Sequence, residues 1–555
     1  MDVCNITMFK DENRRRWCAD TLRLLIHGFA CLCLALVFQP FSDGAVGNDA
    51  SAYERTLLEI QKQIETGNFA EASTLIAAAV RRYPHDGGVE NLLGVVEIEQ
   101  GYTAPASKAF SDAIIDNPRL AGAYLNLSRI KMQSAATDPA VRAEALRLSL
   151  KVLQLDPTTD EAHYQAATIL FWNKDYRPSL EHLQKLSAQA RVKISAEALL
   201  CADFAALGHR QETNETAHAL AANPDLTEQD VDTCVPALRA GRRADLIEVL
   251  LNAAAKHQTL SPDGLRVFGL AQEADGKLQI ARVTLEGAFA ANSKSVQILE
   301  DLTRIANAAN DNEGALGYLA QARDLQPGNA ELPYEFGVIC VRMGLYAEAR
   351  KAIADALRLD PDNGEYNLGM GLVVSFSEDP SQALPYLARY HSLRPKDPEG
   401  LLALGEANFR AKDYDAASQW LKQAVSSEKT AADAHYYLGR IALQEGHLDG
   451  ATAELKQSLA LRADQPDTLA ELGQISIKLR DFAKAASYFD QALHKDQDNY
   501  AANFGLLQLY ARTGDSRREQ QSQRFDEIKN IKEDRDRQMI RVIEIRPTGL
   551  SNEPK

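Results

Sequence analysis

The residue types that could do chemistry are scattered through this sequence. Glu331 and Glu335 are four positions apart, so on a helix their carboxyl groups would be neighbours, and one raised pKa would suit them to acid–base work. The eleven histidines form no pair at metal-ligand spacing, and the sequence has no Walker-type glycine-rich loop, Gly-x-Ser-x-Gly elbow or His-Glu-x-x-His motif. We therefore predict a solvated helix face for the two glutamates, and no catalytic, cofactor or metal site.

Length and charge limit the classes of function. The chain has 555 residues, with 61 lysines and arginines against 77 aspartates and glutamates, and its net charge is −16 at pH 7. At about 150 residues per domain, this length predicts three or four domains. Because an acidic chain is repelled by the phosphate backbone, we expect no nucleic acid among its partners.

Residues 1–47 have the features of a targeting segment. Arg14, Arg15 and Arg16 precede an apolar run at 24–38. This run has the length of a signal-peptide core and is shorter than the ~20 residues that span a bilayer. We predict a signal peptide and an extracytoplasmic protein, periplasmic or secreted. The alternative is a membrane anchor at 24–38 that holds the rest of the chain outside the cytoplasm.

A repeat of 34 residues runs through the chain that follows. One position of this repeat is glycine in six of seven cases, with Thr303 in the remaining one, and an alanine stands twelve residues after all seven. The glycines are Gly269, Gly337, Gly371, Gly405, Gly439 and Gly473, and the alanines are Ala281, Ala315, Ala349, Ala383, Ala417, Ala451 and Ala485.

This spacing predicts two antiparallel helices in each repeat. A large apolar residue follows each alanine by four positions, as Leu421 follows Ala417. We expect the glycine of the first helix to face the alanine of the second helix, with the large residue packing one turn away. Pro327, Pro361 and Pro395 should end three second helices, because proline cannot continue the hydrogen-bond ladder.

Other parts of the chain keep the pattern less faithfully. The unit at 121–159 has five residues more than the repeat, and we expect the extra residues in the loop around Thr137 and Pro139. The units at 192–261 lose most glycine and alanine markers. The segment from Arg517 to about Arg541 is rich in charge and predicts a helix that caps the array.

The pattern resembles the tetratricopeptide repeat, in which a Leu-Gly pair, an Ala, a Phe and a Pro fall at these offsets. The resemblance implies an all-α fold, an α-solenoid in which about 14 antiparallel helix pairs form a right-handed superhelix. We divide the chain into a signal peptide or anchor at 1–47, degenerate repeats at 48–261, regular repeats at 262–499, a degenerate last unit with its capping helix at 500–541, and a tail at 542–555.

The resemblance also implies a binding surface. In this family the first helices line a groove, and enzymes carry catalysis on an appended domain, for which this sequence has no block outside the repeats. Asn126 and Arg129 partly match the family's clamp for a C-terminal carboxylate, but the lysine of that clamp is missing. The candidate groove residues are Asn126, Arg129, Tyr164, Trp172, Tyr334, Arg342, Glu406, Arg410, Tyr436 and Arg440.

Three cysteines follow residue 47, and they are too few for a disulfide framework. Cys201 and Cys234 are 33 positions apart, nearly one repeat length, whereas Cys340 is distant from both. We expect buried free thiols, which behave as small apolar side chains. A bridge between neighbouring repeats at Cys201 and Cys234 is the alternative.

Together these features predict a non-enzymatic scaffold that binds a protein or peptide, without a cofactor, in cell-envelope assembly or export. The second hypothesis is a scaffold that binds glycans or serves polysaccharide biosynthesis together with a glycosyltransferase. The third is an enzyme, for which the sequence offers no catalytic motif.

Overall fold

The computed structural model describes residues 49–375 and 379–541, with side chains at 52–375 and 379–530. Within these residues the chain forms 29 α-helices and one short 3₁₀ helix, and it forms no strand. Its contacts divide it into two compact units, residues 1–288 and 289–555. The predicted signal peptide or anchor at 1–47 and the predicted tail at 542–555 lie outside the described residues.

In the first unit, helices pack as seven antiparallel pairs, and one four-residue helix, α9, stands between two pairs. The helices are α1 (Asp49–Glu65), α2 (Phe69–Arg82), α3 (Gly87–Glu99), α4 (Thr103–Asp116), α5 (Ala121–Ala135), α6 (Pro139–Leu155), α7 (Asp160–Trp172), α8 (Tyr176–Gln184), α9 (Ala188–Arg191), α10 (Ile194–Leu207), α11 (Arg210–Ala221), α12 (Glu228–Ala240), α13 (Ala244–Ala254), α14 (Pro262–Ala274) and α15 (Leu278–Ala291).

In the second unit, helices again form seven antiparallel pairs, and the 3₁₀ helix Pro380–Ala383 directly precedes α21. The helices are α16 (Val296–Ala308), α17 (Asn312–Leu325), α18 (Glu331–Arg342), α19 (Tyr346–Leu359), α20 (Gly364–Ser375), α21 (Leu384–Leu393), α22 (Pro398–Arg410), α23 (Tyr414–Ala424), α24 (Glu428–Gln444), α25 (Leu448–Leu461), α26 (Pro466–Lys478), α27 (Phe482–Lys495), α28 (Tyr500–Thr513) and α29 (Arg518–Arg541).

The predicted all-α α-solenoid is confirmed, and each unit is a stack of helix pairs. The buried apolar residues form a row of local clusters along each stack. Such an array grows by adding pairs and needs no single core, so the estimate of three or four globular domains does not apply. The handedness of the superhelix stays a prediction.

The glycine marker makes room for the second helix of its own pair. A Cβ atom built on Gly405 would lie 2.6 Å from Leu421 Cδ2, and one built on Gly269 would lie 2.7 Å from Leu285 Cγ. These distances are below van der Waals contact, so the large apolar side chain itself fills the space above the glycine. The alanine contributes its backbone, since Ala281 O is 3.3 Å from the same Cβ position of Gly269. The expected glycine–alanine contact is therefore present through the alanine backbone. The large apolar side chain, expected one turn away, lies directly over the glycine.

The turn from the first to the second helix repeats a left-handed backbone conformation. The residue in this conformation has φ of 76° at Gly276 and 60° at Arg480, and glycine adopts it at the lowest cost. Glycine occupies this place at Gly67, Gly101, Gly208, Gly276, Gly344, Gly446 and Gly514, and other residues occupy it at Lys174, Arg242, Asn310, Lys412 and Arg480.

Three second helices end where the prolines predict, whereas the long unit at 121–159 differs from its prediction. The predicted ends before prolines are confirmed, since α17, α19 and α21 each end two residues before Pro327, Pro361 or Pro395. The extra residues of the unit at 121–159 do not form a longer loop. They extend the helices instead, to 15 residues in α5 and 17 residues in α6.

The predicted charged helix is present as α29, and its first part packs as the second helix of the last pair. The Phe525 ring lies 4.9 Å from the Tyr500 ring and 5.4 Å from the Phe504 ring, measured between centroids, and Ile528 is buried. None of the described helices, α29 included, is long and apolar enough to cross a membrane.

Candidate functional site: the first helices of the second unit

In the first unit, the predicted groove residues Asn126 and Arg129 are nearly buried. Asn126 Nδ2 donates to Asn91 Oδ1 at 3.1 Å, and Arg129 Nη1 donates to Asn126 Oδ1 at 2.9 Å. The guanidinium of Arg129 also forms an ion pair with Glu161, whose Oε1 accepts from Gln165 Nε2 at 3.0 Å. This polar chain joins the first helices α3, α5 and α7. Its side chains form their hydrogen bonds and ion pair with one another.

Tyr164 and Trp172, the other two candidates in the first unit, both lie on α7 and are half-buried. Tyr164 packs in the cluster formed with Leu180 and Leu199, where burial raises the pKa of its hydroxyl. Trp172 packs at the opposite end of α7, against Ile169. The two aromatic side chains therefore belong to separate clusters.

In the second unit, Tyr334 and Arg342 lie at the two ends of α18. The Tyr334 ring is 4.6 Å from the Tyr366 ring of the next first helix, α20. A Cβ on Gly369 would lie 2.9 Å from Tyr334 Cε2, so this glycine leaves room for the ring. Arg342 Nη2 donates to Asn307 Oδ1 at 3.0 Å, which ties α18 to the preceding first helix.

The remaining four candidates, Glu406, Arg410, Tyr436 and Arg440, come together on α22 and α24. Glu406 Oε1 accepts from Arg410 Nη2 at 2.7 Å and from the Tyr437 hydroxyl at 2.7 Å. The first bond is made within α22 and the second reaches it from α24. One carboxylate oxygen therefore links two neighbouring first helices through a charged donor and a phenol.

Arg440 completes this group of side chains. Its guanidinium carbon lies 4.8 Å from the centre of the Phe409 ring and 5.6 Å from that of Tyr436, and its Nε is 3.5 Å from Glu471 Oε1 on α26. We call Glu406, Phe409, Arg410, Tyr436, Tyr437, Arg440 and Glu471 the aromatic–charge cluster. It spans three successive first helices, and each of its charged groups faces a partner of opposite charge or an aromatic ring.

The surroundings of the aromatic–charge cluster are of low polarity. Burial raises the pKa of the Tyr436 hydroxyl to about 12 and raises the pKa of the Tyr437 hydroxyl further. Burial also raises the pKa of the Glu471 carboxyl. Charge interactions are stronger in such surroundings than in water, so the pairing of Arg440 with Glu471 is stronger here than it would be at an exposed site.

One position of the repeat forms a row across this face. Val338, Leu372, Glu406 and Arg440 are 34 residues apart, each directly after a glycine marker. Val338 and Leu372 are each 39% exposed, whereas Glu406 and Arg440 are half-buried. We call these four residues the first-helix row. Its first half presents apolar side chains to solvent, and its second half belongs to the aromatic–charge cluster.

Sequence reasoning missed Phe409, Tyr437 and Glu471 as members of the cluster, and Val338 and Leu372 as members of the row. The signal for the row was present, because the residue after each glycine marker can be read from the sequence. The signal for the cluster was absent, because the contacts of Phe409 depend on how α22 and α24 pack.

The other groups considered for chemistry form two separate pairs among the described residues. Glu331 and Glu335 are exposed on α18, and partial desolvation together with the charge of Glu331 raises the pKa of the Glu335 carboxyl. His163 and His182 do meet, with their Nδ1 atoms 2.9 Å apart, inside the helix packing of the first unit. In the described part of the chain, no three His, Cys, Asp or Glu side chains are grouped to hold a metal ion.

Comparison with protein families identifies the repeats. Residues 306–371 and 377–441 match one family model described as tetratricopeptide repeat, and residues 471–517 match a second model with the same description. These stretches are tetratricopeptide repeats. They contain every residue of the aromatic–charge cluster, and they also contain Val338. Leu372 lies one residue beyond the first matched stretch.

Several solved structures contain similar helical repeats. The Cut9–Hcn1 hetero-tetramer of the APC/C is 14% identical over 83% of this chain and 97% of that chain, with a TM-score of 0.36. PilW, a type IV pilus biogenesis factor, is 19% identical over 38% of this chain and 98% of that chain, with a TM-score of 0.35. A tetratricopeptide repeat protein from Parabacteroides merdae is 17% identical over 42% of this chain and 93% of that chain, with a TM-score of 0.34. Similarity at this level does not indicate a shared partner. No curated protein matches the sequence significantly.

Proposed function

We propose that this chain is a non-enzymatic scaffold that binds a segment of another protein along the first-helix row of its second unit. The observation that carries the proposal is the exposure of Val338 and Leu372, 39% each, beside the aromatic–charge cluster. Exposed apolar side chains next to aromatic and arginine residues are typical of the centre of a protein interface. Tetratricopeptide repeats generally bind protein partners, which agrees with this assignment.

The spacing of the row limits the chemistry of the partner. Neighbouring packed helices are about 8–10 Å apart, and an extended chain advances about 3.3 Å per residue. An extended segment that crosses the row would therefore place every third side chain over a new first helix. We expect two apolar side chains over Val338 and Leu372, followed by polar or charged side chains over Glu406 and Arg440.

The arrangement of charge favours binding over catalysis. In the aromatic–charge cluster, Glu406 is held by Arg410 and Tyr437, and Arg440 faces Glu471. A general base must reach the proton that it removes, and these carboxylates already accept hydrogen bonds or ion pairs from the chain itself. The cluster is therefore suited to orient a partner.

The proposed place of action is outside the cytoplasm, in envelope assembly or export. Its support is the sequence of residues 1–47, with three arginines before the apolar run at 24–38. The alternative within this proposal is a chain that stays anchored in the membrane at 24–38, with its repeats outside the cytoplasm. Fractionation of native cells, with N-terminal sequencing of the purified chain, separates the two.

A site-specific cross-link tests the binding surface. We would place a photo-crosslinking amino acid at Val338 or Leu372 in the full chain, in native cells, with Leu461 of the second helix α25 as the control site, since Leu461 is also exposed. The proposal predicts one discrete protein adduct from 338 and 372 that is absent from 461. Arg440→Glu should weaken this adduct, whereas the same charge change at the exposed Lys422 of α23 should not.

Other outcomes of this experiment would contradict the proposal. An adduct that resists protease and stains for carbohydrate would support the glycan-binding hypothesis. Equal labelling at 338, 372 and 461 would show that the first-helix row is not a selective surface. Turnover of a substrate that is lost in Arg440→Glu would support an enzyme.

A further inference from the structure

Two cysteines meet in the interior of the first unit. Cys201 lies on α10 and Cys234 lies on α12, the first helix of the next pair. Both side chains have an exposed fraction of 0%, and both belong to the same apolar cluster. Their expected state as buried free thiols agrees with the structure. The structure adds that the two cysteines lie on helices that pack directly against each other.

The position of Cys234 against α10 is defined by a hydrogen bond. Its Sγ donates to Ala198 O at 3.2 Å, one helical turn before Cys201. The Cys234 sulfur is thus held against the same face of α10 that carries the Cys201 sulfur. Because a disulfide requires two cysteines that face each other at close range, this placement allows Cys201 and Cys234 to be joined.

We propose that Cys201 and Cys234 form a disulfide bond that links two neighbouring helix pairs of the first unit. The link lies within residues 192–261, where most glycine and alanine markers are lost. It would therefore stabilise helix pairs that lack part of the packing found in the regular repeats. This inference is independent of the proposed partner surface, which lies in the second unit.

The chemistry is a thiol–disulfide exchange with a disulfide-bearing oxidant, such as oxidised glutathione or a dithiol oxidase. The Cys201 thiolate attacks a sulfur of the oxidant, forms a mixed disulfide and releases one thiol. Cys234 then attacks the Cys201 sulfur, the Cys201–Cys234 bond forms, and the second thiol of the oxidant leaves with the Cys234 proton. The two cysteines are oxidised by two electrons, and the oxidant is reduced by two electrons.

The environment sets the roles of the two thiols. The neighbouring Cys234 thiol lowers the pKa of the Cys201 thiol, whereas the Cys201 thiol and burial raise the pKa of the Cys234 thiol. The thiolate is the attacking species, so Cys201 is the first nucleophile. Because both side chains are fully buried, the exchange takes place while α10 and α12 assemble, and an oxidising compartment outside the cytoplasm supports it.

Peptide mapping of the wild-type chain tests the proposal directly. Trypsin releases residues 194–210 with Cys201, residues 211–239 with Cys234 and residues 324–342 with Cys340. The full chain is taken from native cells, or is refolded with oxidised and reduced glutathione, and is alkylated in denaturant without a reductant. We expect 194–210 linked to 211–239, with a mass two hydrogens below the sum of the two peptides. The peptide 324–342 should be alkylated and provides the internal control.

Either of two results would overturn the proposal: alkylation of both Cys201 and Cys234 under both conditions, or a link from either one to another cysteine. A stability measurement adds a second readout. A reductant should lower the thermal midpoint of the wild type and of Cys340→Ala by the same amount, and should not change that of Cys201→Ala. Equal sensitivity to the reductant in all three chains would contradict a link that stabilises the two neighbouring helix pairs.

Discussion

The guanidinium of Arg440 lies over the ring of Phe409, with 4.8 Å between the guanidinium carbon and the ring centre. The two residues are on neighbouring first helices, α24 and α22, so the contact joins two tetratricopeptide repeats. It also places a cation at the end of the first-helix row. A positive charge over an aromatic face is stabilising, and the effect grows where water is excluded.

We expect Arg440 and Phe409 to be energetically coupled. In a double-mutant cycle of Arg440→Met and Phe409→Leu, the coupling in the free energy of unfolding should be about 0.5–2 kcal/mol. Urea unfolding followed by circular dichroism provides the measurement. The control cycle combines Phe409→Leu with Arg358→Met, whose side chain is 73% exposed, and should give additive changes. Additivity in the first cycle as well would show that the contact contributes nothing.

The glycine marker at Gly405 should not accept a side chain. Its Cβ position is 2.6 Å from Leu421 Cδ2, so Gly405→Ala overpacks the pair α22–α23 and should cost about 1–3 kcal/mol of unfolding free energy. Gly317 of α17 is the matched control, because no atom lies within 4 Å of its Cβ position. Gly317→Ala should stabilise the chain by up to about 1 kcal/mol. Similar midpoints for the two variants would refute the packing role of the marker.

The left-handed turns predict a stabilising substitution. Arg480 adopts φ of 60° at the place where seven other repeats have glycine. Arg480→Gly should raise the free energy of unfolding by about 0.5–1 kcal/mol, because the relief of strain exceeds the entropy lost by glycine. Arg480→Ala retains the Cβ and should bring no gain. A gain of equal size in both variants would point to the loss of charge as the cause.

Asp203 should make the stability of the chain depend on pH. It is fully buried, and among the described residues neither carboxylate oxygen has a hydrogen-bond partner. Burial raises its pKa from 3.8 to about 7. The folded state therefore retains a proton that the unfolded state loses, and stability falls as the pH rises from about 4 to about 7.

Asp203→Asn removes this dependence. Its free energy of unfolding should exceed that of the wild type by an amount that grows by up to about 4 kcal/mol between pH 4 and pH 7.5, since one pKa unit corresponds to about 1.4 kcal/mol. Urea unfolding at several pH values measures the difference. The exposed Asp225 provides the control, and Asp225→Asn should run parallel to the wild type. Parallel curves for Asp203→Asn would contradict the assignment.

His182 should make the stability of the chain fall as the pH falls, which is the opposite of the dependence expected for Asp203. Burial and the neighbouring His163 lower its pKa from 6.5 to about 4, and its Nδ1 is 2.9 Å from His163 Nδ1. The unfolded chain takes up a proton below pH 6.5 that the folded chain takes up only near pH 4. The wild type should therefore lose up to about 3 kcal/mol relative to His182→Gln as the pH falls across this range. His218→Gln, at an exposed histidine, should show no such trend in the same titration.

The repeat architecture was open to prediction from the sequence because its signals are local and recur. A glycine, an alanine twelve residues later and a proline after the second helix recur every 34 residues, and helix propensity and chain breaking act over a few positions only. The same information could also have located the left-handed turns and the exposed Val338 and Leu372, since both follow the repeat. The glycine–alanine contact was predicted as well, but the position of the large apolar side chain directly over the glycine was not, because it depends on side-chain direction on the second helix.

The amino-acid sequence by itself thus determined the helix pairs and their number. Only the tertiary structure decided what those residues do. It placed Asn126 and Arg129 in a buried polar chain and gathered Glu406, Arg410, Tyr436 and Arg440 into one cluster. It also placed Cys201 and Cys234 on helices that pack against each other, and it left both carboxylate oxygens of Asp203 without a hydrogen bond among the described residues. The physical reason is that these contacts join side chains from different helices, and their distances depend on how the helices pack.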